Sequence, residues 1–115
     1  TCLDLLEYEP APETFDLVLV LYLHIPAADR RLVLARAASA LAPGGTFVFV
    51  GHDLANLTDG VGGPRDPDLL CTSDEIAAEL PDLVIEKAER VFRDVAGEER
   101  DAIDSLVRAR RSPAQ

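Results

Sequence analysis

Two apolar runs flanking a helix-spaced segment constrain the middle of this chain more than anything else in it. The first run, FDLVLVLYLHIP, is continuously apolar from Phe15 to Tyr22, which suits a strand buried on both faces. The second is TFVFV, from Thr46 to Val50. Between them Ala28, Leu32, Leu34, Ala38 and Leu41 recur at the spacing that lines one face of a helix over Ala27–Leu41. Pro26 restricts Ile25 to an extended conformation before that helix, and Asp29 places a negative charge near its start. Pro43 ends it, and Gly44–Gly45 supply a tight turn into the second strand. Strand, helix and strand of these lengths predict a βαβ unit, with parallel strands and a right-handed crossover. Ligands of open α/β sheets bind beyond the carboxyl ends of the strands. Those ends are Tyr22–His24 and Gly51–Asp53, so function is expected there.

The length of 115 residues allows one domain, and the chain opens on Thr1 with no methionine anywhere, as a fragment would. A net charge of −10 opposes binding to nucleic acid, where Lys and Arg must neutralise phosphate, and discourages attachment to anionic membranes. The apolar runs are too short to span a bilayer, and no basic start precedes an apolar core as in a signal peptide. Arg108, Arg110 and Arg111 gather at the C-terminal end, where a solvated strand end explains them. Cys2 and Cys71 form no metal or redox motif and read as buried thiols of a cytoplasmic protein.

Beyond His52 the periodicity stops. Asp53 to Leu70 holds Gly60, Gly62, Gly63, Pro64 and Pro67 and predicts a long loop, a length typical of lids and binding loops. Thr72-Ser-Asp-Glu75 is a capping box opening a short helix that Pro81 stops. Leu83–Phe92 and Ala102–Ala109 read as strands joined across DVAGEERD, a connection short enough to require an antiparallel hairpin turning at Gly97.

Asp4 after an early strand, FDLV entering the next (Phe15–Val18), and LAPGG before TFVF (Leu41–Phe49) occur in the order found in the class I S-adenosylmethionine-dependent methyltransferases, which this chain resembles. The closing helix and hairpin resemble that family's ending, and the stretch GHDLANLTDGVGGPRDP is similar to a bacterial subgroup with small-molecule or unassigned substrates. The resemblance implies an α/β fold: the C-terminal half of a Rossmann-like methyltransferase domain, with parallel strands plus a C-terminal antiparallel hairpin. It covers residues 1–115 as a single partial domain, without the Gly-rich cofactor loop of the N-terminal half. Gly60–Gly63 does not replace that loop, since it follows no strand directly and opens no helix. Without that half, the strand Phe15–Tyr22 is expected at an exposed edge able to pair with another chain or segment.

The implied cofactor is S-adenosylmethionine and the implied partner a small-molecule methyl acceptor. By resemblance Asp4 accepts from the adenine amino group, Leu5 packs on the ring, and backbone carbonyls of Val20, Leu21 and Tyr22 face the methionine ammonium. Tyr22 can also place its ring near the sulfonium, or be a core tyrosine with a satisfied hydroxyl. His24 and His52 lie where the site opens, and either can be a general base or a structural histidine bonding loop backbone. Asp53 orients His52 or caps the loop, and Leu54–Leu70 is the expected lid, with Asn56, Asp59, Arg65 and Asp66 as polar contacts. Two other readings stand beside this one: a non-catalytic interaction domain derived from a methyltransferase, and a nucleotide-dependent oxidoreductase, which a fully parallel sheet would favour.

Overall fold

A computed structural model describes residues 15–23, 25–60, 62–63 and 66–113. The first apolar run forms β1 (Phe15–Leu21), the helix-spaced segment α1 (Ala27–Ser39), and the second run β2 (Leu41–His52). There follow a single helical turn, α2 (Asn56–Asp59), a 3-10 turn at Pro67–Leu69, the short α3 (Ser73–Ala78), and the strands β3 (Val84–Arg93) and β4 (Ala102–Arg110). The strands form one sheet in the order β1-β2-β4-β3. β1 and β2 are parallel, with Val18 opposite Phe47 and Val20 opposite Phe49. β4 runs antiparallel to both β2 and β3. The expected βαβ unit and closing hairpin are both present, Gly97 turns at φ 83°, and the sheet is mixed, not the fully parallel one that would favour the oxidoreductase reading.

Alternation along the strands sorts side chains to two faces. Val18, Val20, Phe47, Phe49, Val107, Ala109 and Ile85 share one face, on which Leu34 of α1 and Ile76 of α3 close the core. Burying each large aliphatic or aromatic side chain there contributes roughly 1.5–3 kcal/mol. α3 has six residues, too few to persist alone, and starts at the capping box: Thr72 Oγ1 accepts from the Glu75 amide, and Glu75 accepts from the Thr72 amide.

Three expectations about this core need correction. β1 is not buried on both faces: Leu17, Leu19 and Leu21 are more than half exposed, because no described element covers their side of the sheet. The buried stripe of α1 contains Leu34 but not Leu32 or Ala28; Arg30 lies there instead, 3% exposed, with its charge met by α3. The helix stops at Ser39, and Leu41–Gly45 belongs to β2, where the register with β1 jumps between Phe15 and Leu17. Gly44 sits at φ 80°, so the Pro-Gly-Gly turn becomes an irregularity in the strand, and its amide donates to the Arg111 carbonyl. No helix among the described residues is long and apolar enough to cross a membrane.

Candidate active site

The carboxyl ends of β1 and β2 are neighbours because the strands are parallel, and this brings Tyr22 and His52 together. The Tyr22 amide donates to the Val50 carbonyl at 2.7 Å, holding the first residue beyond β1 against β2. Tyr22 has φ 51°, the left-handed region, which turns the chain sharply and is uncommon for a bulky residue. Its ring lies 5.0 Å from that of His52, tilted by 45°. The Tyr22 hydroxyl donates to Asp104 Oδ2 at 2.8 Å, and Arg93 Nε donates to the same oxygen at 3.1 Å. The Arg93 guanidinium carbon stands 5.6 Å from the centre of the Tyr22 ring, a cation–π contact. Burial, and then the hydrogen bond to Asp104, raises the Tyr22 hydroxyl above its ordinary pKa, so it stays protonated and donating.

Asp104 is the residue that sequence reasoning missed. Strand register sets it opposite His52 in the β2–β4 ladder, 2% exposed, with Oδ1 3.6 Å from His52 Nδ1. A signal existed: an aspartate interrupting the apolar strand AIDSLV is unusual in a strand interior. Asp53 proves to be the loop cap of the two roles expected. Its Oδ1 accepts from the Ala55 amide and pairs with Arg90, and its Oδ2 accepts from Ser105 Oγ at 2.7 Å. Residue alternation puts it on the opposite side of the sheet from His52.

Asn56, expected as a contact for substrate, is 2% exposed and works as a clamp. Its Oδ1 accepts from the Ile103 amide at 2.8 Å and its Nδ2 donates to the Gly62 carbonyl at 2.9 Å, so it ties the loop to β4. The glycines draw in behind it. A Cβ on Gly63 would come within 3.2 Å of the His52 ring, and its φ of 74° suits glycine. Asp66 caps the turn at Pro67–Leu69 through the Asp68 amide. Part of the expected open loop is therefore ordered backbone packed against His52.

Val20 packs its side chain on the core, so only its backbone is left for a ligand, whereas Leu21 is 54% exposed at the rim. Asp4, Leu5, His24 and Arg65 lie outside the described residues. Cys71 is buried as expected, in the core and beside the His52 backbone carbonyl, and burial pushes its thiol up to about 11. Among the described residues no group of His, Cys, Asp and Glu could hold a metal ion.

No protein-family model matches the sequence, and no curated protein matches it. Solved structures do match. The N-methyltransferase NodS from Bradyrhizobium japonicum WM9, in complex with S-adenosyl-L-homocysteine, superposes with a TM-score of 0.68 at 23% identity, over 95% of this chain and 52% of that one. An S-adenosylmethionine-dependent methyltransferase from Mesorhizobium loti gives 0.70 at 21% identity, over 95% of this chain and 67% of that one. The [4+2]-cyclase SpnF gives 0.69 at 12% identity, over 99% of this chain and 56% of that one. The chain spans little more than half the length of most of these structures, and one of them carries a reaction other than methyl transfer, so the likeness speaks to architecture. On that architecture, with parallel β1 and β2 and the antiparallel closing hairpin, the chain has the fold of the class I S-adenosylmethionine-dependent methyltransferases.

Proposed function

We propose that this chain is the C-terminal part of a cytoplasmic S-adenosylmethionine-dependent methyltransferase acting on a small molecule, with His52 as its general base. The observation that carries the reading is the meeting of Tyr22 and His52 on one rim, 5.0 Å apart, where the parallel strands of this fold end. The described residues fit one side of the cofactor. The Val20 and Leu21 carbonyls suit an ammonium group, and the ring of Tyr22 already receives one cation, Arg93. When bound, S-adenosylmethionine supplies a methyl group on an activated sulfonium, so alignment of the acceptor carries much of the rate. Leu21 and the Tyr22 ring give that acceptor an apolar wall. His52 takes its proton, and the Asn56-held glycine segment keeps water from the imidazole. Asp4, Leu5 and His24 complete the proposed set, with Asp4 and Leu5 on the adenine and His24 as a second basic group.

The full-length protein is expected to bind S-adenosylhomocysteine in calorimetry. His52→Ala should lower turnover by about 100-fold or more with cofactor affinity preserved. A full-length protein that does not bind S-adenosylhomocysteine overturns the reading. Residues 1–115 alone are expected to bind it weakly and to be inactive, since they contain no Gly-rich strand–loop–helix. A second reading, a non-catalytic interaction domain, is favoured by the exposed Leu17, Leu19 and Leu21 of β1.

A further inference from the structure

We propose that Asp104 is a positioning residue for His52: its buried carboxylate holds the neutral imidazole with the proton on Nδ1, placing the basic lone pair on Nε2 and strengthening the base. The proposal rests on the reading above only for the use to which His52 is put.

The two oxygens of Asp104 have different surroundings. Oδ2 accepts from Tyr22 and from Arg93, whereas Oδ1 is buried, accepts no hydrogen bond, and lies 3.6 Å from Nδ1 of His52. Leaving a buried carboxylate oxygen without a donor is costly, and the His52 Nδ1–H lies within a small ring rotation of it. Facing strands carry both residues, so their juxtaposition is a property of the backbone ladder and not of two flexible side chains meeting.

The imidazole is confined on its other sides. Tyr22 lies against it, and the backbone of Gly63 is so near that a Cβ there would approach Cγ and Nδ1 to 3.2 Å. The His52 side chain is 12% exposed. Among the described residues, the charged and titratable groups around it include Asp104 from β4, Arg93 from β3 and Tyr22 beyond β1, while α2 and its loop contribute the uncharged Asn56 and Gly63. Asp104 and Arg93 act in opposite directions on the ring. The Arg93 side chain is 46% exposed, hence screened, and is bound to the far oxygen, so of the two charges the carboxylate acts more strongly on the ring. A base aligned by a third group is the arrangement that activates histidine in general.

Nitrogen-15 NMR of the imidazoles in the full-length protein tests this. Neutral His52 should be the Nδ1–H tautomer, and the pH at which the ring titrates is read in the same spectra. Asp104→Asn should lower that pKa by about one unit or more. An Nε2–H tautomer in the unmodified protein overturns the proposal, as does an unchanged pKa in folded Asp104→Asn. Where Asp104→Asn does not fold, the tautomer of the unmodified protein decides by itself: Nδ1–H supports the proposal and Nε2–H overturns it. The outcomes separate from those for the methyltransferase reading. The Nδ1–H tautomer in a protein that ignores S-adenosylhomocysteine leaves Asp104 in this role and removes the methyltransferase; the Nε2–H tautomer in a protein that binds it does the reverse.

Discussion

Tyr22 shows how one residue can tie a site together. A positive φ at a bulky residue costs about 1–3 kcal/mol, and the surroundings hold it through the amide bond to Val50 and the hydroxyl bond to Asp104. Both bonds end on different strands, so the strained turn also reports that β2 and β4 are in register. Cys71, in the core, makes a prediction about pH. Burial raises its thiol from the ordinary 9.0 to about 11, so folding favours the protonated form. Its contribution is fully present below pH 9 and is lost as pH rises toward 11. A two-unit difference corresponds to at most about 2–3 kcal/mol. Urea midpoints measured between pH 8 and 11 should fall more steeply for the unmodified protein than for Cys71→Ala. Equal slopes would mean that the thiol titrates as if it were exposed.

At the scale of elements, the notable joint is the one between α1 and α3. Arg30 is 3% exposed and grips Glu79 by both carboxylate oxygens, Nε at 3.1 Å and Nη2 at 2.6 Å, with Nη1 donating to the Leu70 carbonyl. This fork geometry, chiefly the hydrogen bond to Glu79, raises the Arg30 pKa further. Such a pair stabilises little over a well-packed apolar pair, yet removing one partner strands a buried charge. Glu79→Ala is therefore expected to cost about 3–5 kcal/mol in denaturant unfolding, and Arg30→Met with Glu79→Leu much less. A double variant as unstable as the single one would contradict this account. The six residues of α3 keep their place through this joint at one end and the Thr72–Glu75 capping box at the other.

For the molecule as a whole, the sheet has two unlike faces. One carries the helices and the core, and on the other Leu17, Leu19 and Leu21 of β1, an edge strand among the described residues, are exposed beside half-buried Val48 and Val50. A long apolar edge is a template for pairing, and the net charge of −10 opposes association only at long range and low salt. Residues 1–115 in isolation should self-associate in sedimentation experiments at raised salt. Leu19→Lys, which puts a charge on that face, should return them to monomer. A monomeric unmodified chain at all salt concentrations would weaken the interaction-domain reading and leave the exposed face unexplained by pairing.

Local pattern alone determined the strand–helix–strand core, the parallel sense of β1 and β2, the hairpin at Gly97 and the capping box, because each depends on side-chain period, connection length or turn chemistry. Pattern could not say that Arg30 rather than Leu32 faces inward, since only the position of Glu79 at the end of α3 makes a buried guanidinium tolerable. Nor could it say that β1 is covered on one face only, because burial depends on what lies opposite. Above all, the pairing of His52 with Asp104, and the clamp of Asn56 on Ile103, join residues distant in the chain. Strand register decides those meetings, and register is a property of the assembled sheet.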